Sequence, residues 1–242
     1  MMAFFTYLAT LLADALMSLW KAISENFGAA ASALFGTFFG AYFAFLFERR
    51  ERKDDVAQKN VDALNQALFT VSEMWSILRQ YQRDHLEQWR DKPDRWFGVT
   101  SNPLAAQHSN VQFEVGELYF LLSKAGNTFA NLMLEQRRFR LAIGLIEQRS
   151  KLMLGVAFPR MGRANVGIGQ QVTLAQVEGI LGISTTHQLK EYTDQIFAFV
   201  DTDIPDFEAA YNELRAAGER LYPKAKLIRL DFNPPPEPPA TN

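Results

Sequence analysis

The chain has 242 residues, a net charge of −2 and no cysteine. The lack of cysteine excludes disulfides, cysteine metal ligands and a cysteine nucleophile. The balanced charge is atypical of proteins that bind nucleic acid through a basic surface, so we expect no direct nucleic-acid binding. The length allows one membrane element and one sizeable domain.

The first apolar stretch, Ala3 to Ser24, has helical periodicity. Its polar members recur at Thr6, Thr10, Asp14 and Ser18, which places a polar stripe on an otherwise apolar helix. A carboxylate at mid-span costs about 2.5–3.5 kcal/mol on insertion, close to what the Phe and Leu residues gain. We therefore expect one of two placements. The helix spans as the first half of a hairpin with its polar stripe facing a partner or a wet cavity, or it lies along the membrane interface.

The second apolar stretch, Gly28 to Phe47, contains twenty residues without a charge. A helix of that length rises about 30 Å, which matches the hydrocarbon core of a bilayer. It predicts a transmembrane helix, separated from the first helix by a break at Asn26, Phe27 and Gly28.

Small residues recur at every fourth position of this predicted span. They are Gly28, Ser32, Gly36, Gly40 and Ala44, and Gly36 to Gly40 forms a GxxxG motif. Positions four apart share a helix face, so the pattern predicts a smooth small-residue stripe that packs closely against another helix. That helix is either the first helix of the same chain or one from a second copy, and we expect a homo-oligomer.

A cluster of basic residues follows the predicted span at Arg49, Arg50, Arg52 and Lys53. Before the span Lys21 is the only basic residue, so the positive-inside rule places the C-terminal domain in the cytoplasm. We expect the membrane to be a cell inner membrane of prokaryotic type. These four side chains are also expected to orient the helix and to reach anionic lipid head groups, or else to remain solvated.

From Glu48 to about Arg90 the pattern stays helical, so the membrane helix is expected to continue into the cytosolic domain. Apolar residues recur by threes and fours at Val61, Leu64, Leu68, Val71, Trp75 and Leu78, which predicts a core helix. Further helices are predicted at about 111–124, 127–154, 173–181 and 186–200, with a last one from Pro205. Thr173 and Gln176 form a capping box that opens the helix at 173–181, and Gly182 ends it. In the helix at 127–154, charged residues that include Arg149 lie opposite the apolar face. The domain boundaries follow as 1–27, 28–47, 48–232, and a proline-rich tail over 233–242.

The segment from Gly155 to Gln171 is rich in glycine and reads as an irregular connector. It lacks the third glycine and the Lys-Ser/Thr pair of a phosphate-binding loop. Arg160 and Arg163 are its only charges, and we expect a mobile recognition loop here.

No catalytic motif stands out. His85, His108 and His187 lie in separate segments without a partner at ligand spacing, so we expect no metal and no cofactor. Asp201, Asp203 and Asp206 near Pro205 are read as helix-capping acids.

Together these features predict an all-α protein with one or two N-terminal transmembrane helices and a cytosolic helical bundle. The expected function is that of a membrane-anchored, non-enzymatic interaction or effector protein that oligomerises through its membrane helices. Its partners are then the lipid bilayer and an unidentified cytosolic protein or complex, and its activation perturbs the membrane. The layout is similar, in architecture, to two-helix membrane effectors of bacterial antiphage systems. The alternatives are a membrane-tethered metal-dependent enzyme built from His108, His187 and the acidic cluster, and a plain membrane scaffold.

Overall fold

The computed structural model describes residues 2–102, 108, 110–166 and 172–232. Within the first 34 residues, the described side chains are those of residues 13–18, 20–22, 24 and 32. The chain divides into two compact units, Met1–Ala57 and Gln58–Asn242. Every regular element in the described residues is helical, so the predicted all-α class and the helical bundle are confirmed.

We number the α-helices of the described residues in chain order. They are α1 Met2–Tyr81, α2 Arg95–Gly98, α3 Tyr119–Lys124, α4 Gly126–Leu152, α5 Phe158–Arg163, α6 Leu174–Leu181 and α7 Ile183–Leu221. Two π-helical turns, Gln82–Leu86 and Met153–Ala157, extend α1 and α4, and 3₁₀ turns occupy Glu87–Trp89 and Val115–Leu118.

The break predicted at Asn26, Phe27 and Gly28 is wrong, because α1 is helical without interruption from Met2 to Tyr81. Asn and Gly lower helix propensity by only about 0.7–1 kcal/mol each, which good helix formers on both sides offset. A hairpin between residues 3–24 and 28–47 is therefore not formed. The second apolar stretch was predicted to continue as a helix beyond Glu48, and α1 does so without a break to Tyr81.

The core of the second unit confirms the amphipathic pattern read from residues 61–78. Leu64, Leu68, Val71 and Leu78 are fully buried, and they pack with apolar residues of α4 and α7. These two helices form the main packing pair of the bundle, with the rings of Phe139 and Phe207 meeting edge to face. The periodicity therefore marks a core helix, as predicted.

The helix α7 differs from the two helices predicted around Pro205. It runs unbroken from Ile183 to Leu221 with the proline inside it. A proline within a helix costs about 3 kcal/mol. Val200, Ile204 and Phe207 are buried on either side of it, and their burial offsets that cost.

The segment predicted as an irregular connector is helical over most of its described part. A π-helical turn covers Met153–Ala157 and α5 covers Phe158–Arg163, while residues 167–171 lie outside the described part of the chain. Apolar anchors at Ala157 and Met161 bury against a second, smaller core, which stabilises helix despite the glycines. The Thr173–Gln176 capping box of α6 and its end at Gly182 are present as predicted.

Gly98, at the end of α2, touches the ring of Trp89. A Cβ placed on this residue would lie 2.1 Å from the ring, so Gly98→Ala must displace the indole. We expect a loss of about 1–3 kcal/mol in the free energy of unfolding, measured by urea denaturation. Gly144 in α4 has open space at its Cβ position. Gly144→Ala is therefore the matched control, with an expected gain of about 0.5–1 kcal/mol. Equal stability of both variants would contradict the packing described here.

Candidate functional site

The first candidate surface is a band of aromatic side chains on α1. Its members, which we call the aromatic band, are Phe35, Phe38, Phe39, Tyr42, Phe43, Phe45 and Phe47. Their exposed fractions range from 50% for Tyr42 to 69% for Phe47. Five of the rings pair with one another, those of Phe35, Phe38, Phe39, Tyr42 and Phe43. All described side chains of residues 35–56 are exposed. This part of the chain therefore presents a continuous apolar surface that the first unit does not bury.

The small-residue stripe lies on the same helix. Ser32, Gly36, Gly40 and Ala44 are exposed, and no atom lies within 4 Å of the Cβ positions at Gly36 and Gly40. The side chain position at Gly28 lies outside the described residues. The surface over Gly36 and Gly40 is thus open enough for the backbone of another helix to approach.

The predicted polar stripe is described only in part. Asp14 and Ser18 are exposed, and the Ser18 hydroxyl donates to the Ala15 carbonyl at 2.9 Å. The side chains of Thr6 and Thr10 lie outside the described residues. Within the described residues, no helix is both long enough and apolar enough to cross a membrane.

The basic cluster directly follows the aromatic band. Arg49, Arg50, Arg52 and Lys53 are all exposed, and of these four only Arg52 has an ion pair in the described residues, with Glu48. A shallow groove of about 500 Å³ runs along this part of α1. It is lined by Phe45, Glu48, Arg49, Arg52, Lys53 and Val56.

The second candidate surface is a cleft in the bundle, between the turn after α1 and the helix α7. Its volume is about 430 Å³, and it is lined by Arg90, Asp91, Lys92, Pro93, Arg95, Trp96, Lys190 and Asp194. We call it the basic cleft, because four of these residues are cations and two are acids. No pattern in the sequence indicates this cleft, since its cations come from segments about one hundred residues apart.

Carboxylates of α7 hold two of the four cations of the basic cleft in place, Arg90 and Arg95. Arg90 donates both terminal nitrogens to Asp201 at 2.7 Å, and Arg95 donates to Asp194 at 2.8 Å. The hydrogen bonds from Arg90 lower the pKa of the Asp201 carboxyl, and Asp201 in turn raises the pKa of Arg90. Asp201 is therefore an inter-element contact, and its predicted role as a helix-capping acid is wrong.

Behind the cleft lies Arg149, which is 1% exposed. Its guanidinium donates to Thr193 Oγ1 at 2.8 Å and to the Trp96 and Val99 carbonyls at 3.1 and 2.8 Å. No carboxylate pairs with it in the described residues, and burial lowers its pKa. Arg149 thus fastens the α2 segment, one wall of the cleft, to α4 and α7.

Arg149 was predicted on the charged face of α4, opposite its apolar face, and that prediction is wrong. A signal for its burial was present in the sequence. Ile143, Ile146 and Arg149 follow one another at three-residue spacing, so they share the apolar face of the helix. An arginine on the apolar face of a helix can be buried where backbone carbonyls accept its hydrogen bonds. The carbonyls of Trp96 in α2 and of Val99 directly after it do so here.

Two carboxyl groups are buried where α4 packs on α7. Glu135 is 5% exposed and Asp203 is 1% exposed. Within the described part of the chain, Glu135 Oε2 and Asp203 Oδ2 have no hydrogen-bond partner. Burial raises the pKa of Glu135 to about 7 and that of Asp203 to about 6, while the nearby Arg138 opposes both shifts. Arg138 is bonded to Glu135 and to Asp206. Asp203 and Asp206 are therefore not capping groups, because both lie inside α7.

The two arginines of the predicted recognition loop lie on α5. Arg160 donates to the Leu181 carbonyl and to Thr185 Oγ1 at 2.9 Å, which ties α5 to the start of α7. Arg163 is exposed and donates to the Pro159 carbonyl at 3.4 Å. A helix stands where the loop was predicted, and Arg160 is committed to a structural contact.

The histidines remain apart in the described residues. His85 lies 3.1 Å from the Asn102 side chain, and His187 is exposed on α7. No group of three or more His, Cys, Asp or Glu side chains among the described residues is arranged to hold a metal ion.

Comparison with protein-family models, curated proteins and solved structures gives no match for this chain. The aromatic band with its basic cluster and the basic cleft are therefore the surfaces from which a function can be inferred.

Proposed function

We propose that this protein is a membrane-anchored, non-enzymatic helical interaction protein. In this proposal residues 28–47 of α1 cross the membrane, copies of the chain associate through that helix, and the bundle binds a cytosolic protein partner. Binding of the partner alters how the membrane helices associate, and so perturbs the membrane.

The aromatic band carries the proposal. Complete burial of one Phe side chain is worth about 1.5–3 kcal/mol, so seven half-exposed aromatic residues leave on the order of 10 kcal/mol unrealised in water. A soluble monomer rarely exposes an apolar surface of this extent. Lipid is the favoured cover, because the surrounding twenty residues carry no charge and basic residues follow them directly.

The small-residue stripe supports association of the membrane helices. In lipid, apolar burial does not drive helices together, so close backbone packing has to do so. Gly36 and Gly40 offer an open surface for that packing. A second copy of α1 is the partner that we propose, since α1 is unbroken over its described residues and does not fold back on itself.

The basic cleft supports partner binding by the bundle. Its guanidinium groups are fixed by carboxylates of α7, so they lose little conformational entropy when a ligand binds. Arg95 also stacks on the ring of Phe197 at 4.8 Å. A mixed-charge cleft of this kind suits the acidic side chains of a protein partner.

Two double variants of the full chain test the proposal in bacterial membranes. Gly36→Leu with Gly40→Leu blocks close helix approach, and we expect crosslinked dimers to fall about tenfold, a loss of about 1.4 kcal/mol. Phe38→Leu with Phe45→Leu is the control. Phe38 lies two residues from both Gly36 and Gly40, so this pair faces away from the stripe and keeps its apolar character.

Each outcome of that experiment separates the parts of the proposal. Both variants should sediment with membranes after an alkaline wash. Recovery of the parent chain in the soluble fraction would overturn the membrane anchor. Membrane retention with undiminished crosslinking of the Gly36→Leu/Gly40→Leu variant would overturn oligomerisation through the stripe and leave a membrane scaffold.

A further inference from the structure

The charges that follow the aromatic band are segregated around α1. Residues 48–55 contain four basic and four acidic side chains, so the segment has no net charge. At 100° per residue, Arg49, Arg52 and Lys53 fall on one side of the helix. Glu48, Glu51 and Asp55 fall on the other, and all six are exposed. The segment therefore attracts anions through one face only.

The basic face continues a line of aromatic residues. Phe38, Tyr42, Phe45, Arg49, Arg52 and Val56 follow one another at alternating spacings of four and three, so they form a single straight stripe. Its first half is aromatic and its second half is cationic. The groove of about 500 Å³ lies where the two halves meet. Its lining includes Phe45, the three cations Arg49, Arg52 and Lys53, and Glu48, which is paired with Arg52.

This order along the helix matches the layers of a lipid leaflet. Aromatic rings are favoured where acyl chains meet head groups, and arginine binds phosphate oxygens with paired N–H groups. Arg49 and Lys53 have no carboxylate partner in the described residues, so their charge is available. Each basic residue at this depth strengthens the attraction to acidic lipids by roughly fivefold.

We propose that this stripe is a binding site for anionic phospholipid head groups. The phosphate contacts Arg49 and Lys53, whose charges have no carboxylate partner in the described residues, and Arg52 flanks it with its partner Glu48. An acyl chain lies along Phe45, Tyr42 and Phe38. The site belongs to the same surface as the proposed membrane anchor and rests on that proposal. Nucleic acid is the less suitable ligand, because half of the stripe is apolar and acids occupy the opposite side.

Two charge-exchanged variants of the full chain test this site. The test variant is Arg49→Glu with Glu51→Arg, which moves one positive charge off the stripe. The control is Arg50→Glu with Glu51→Arg. Both have identical composition and net charge, and they share the change at Glu51, so only loss of the stripe's arginine distinguishes them. All three positions are exposed, so neither variant alters a core.

The measurement has two stages, which separate the two proposals. Flotation with vesicles of phosphatidylcholine alone tests insertion, and failure of the parent chain to float would overturn both the anchor and this site. The preference for spin-labelled phosphatidylglycerol over phosphatidylcholine is then measured in mixed vesicles. We expect the parent and the control to prefer phosphatidylglycerol by roughly threefold to fivefold, and the test variant to show no preference between the two lipids.

The preference should also weaken as salt is raised, because exposed charges are screened. Insertion with equal preference in all three proteins would overturn the lipid site while sparing the anchor. A single-stranded oligonucleotide that binds the vesicle-embedded parent, and loses binding through the Arg49→Glu exchange, would assign the stripe to nucleic acid instead and overturn the proposal.

Discussion

Replacing Arg149 with alanine is expected to lower the free energy of unfolding of the bundle by about 3 kcal/mol. The substitution removes three hydrogen bonds and leaves the buried carbonyls of Trp96 and Val99 without a donor. An unsatisfied buried acceptor costs about 1–3 kcal/mol, and the empty volume of the side chain adds to it. The desolvation penalty of the cation is relieved at the same time, which keeps the expected loss near the lower end of the sum.

Urea denaturation of the full chain, followed by circular dichroism, measures this loss. Arg137→Ala is the matched control, because Arg137 is exposed on the same helix, and we expect a change within about 0.5 kcal/mol. Arg149→Lys keeps a charge but cannot reach all three acceptors, so its stability should fall between those of the parent and the alanine variant. Equal stability of Arg149→Ala and Arg137→Ala would contradict the proposal that the hydrogen bonds of Arg149 hold the α2 segment against α4 and α7.

The second large effect is a loss of stability as the pH rises. The folded protein holds the pKa of Glu135 at about 7 against an ordinary 4.5, and that of Asp203 at about 6 against 3.8. Raised pKa values mean that the folded state binds more protons than the unfolded state. The stabilisation is complete below the ordinary pKa values and is lost as the pH rises through about 6 and 7. We expect the free energy of unfolding to fall by about 4 kcal/mol from about pH 5 to about pH 8.

Neutral isosteres identify the groups responsible. Glu135→Gln should remove the larger part of this pH dependence and Asp203→Asn the remainder, and both variants should exceed the parent in stability at about pH 8. Glu147, which pairs with Lys151 on α4, serves as the control, and Glu147→Gln should leave the pH profile unchanged. A profile that keeps its slope in the Glu135→Gln/Asp203→Asn double variant would place the effect elsewhere.

Local pattern was sufficient for the elements that bury an apolar face or cap themselves. The three-and-four spacing of residues 61–78 identified a core helix, because a helix with one apolar stripe is stable only if that stripe is covered. The capping box at Thr173 and Gln176 identified the start of α6, since both of its hydrogen bonds are local. The exposed aromatic band was likewise evident from residues 35–47.

Glycine and proline residues led to wrong predictions of helix breaks. Gly28, Pro205, Gly155 and Gly162 each argued for an interruption, and at each of these residues the chain stays helical. Propensity differences of about 1–3 kcal/mol are smaller than the burial of two or three flanking apolar side chains, and that burial depends on neighbours distant in sequence. The error at Gly28 has another cause, since one glycine between good helix formers is only a small penalty.

By itself, the sequence determined that the chain is helical and that residues 28–47 carry an uncharged apolar stretch bordered by basic residues. These properties depend on composition and period along one segment. Only the tertiary structure decided that Arg149 is buried, that Asp201 holds Arg90, and that Glu135 and Asp203 lie in the interface of α4 and α7. Such contacts join residues up to about one hundred positions apart, and no local pattern specifies which charged side chain faces a core and which faces water.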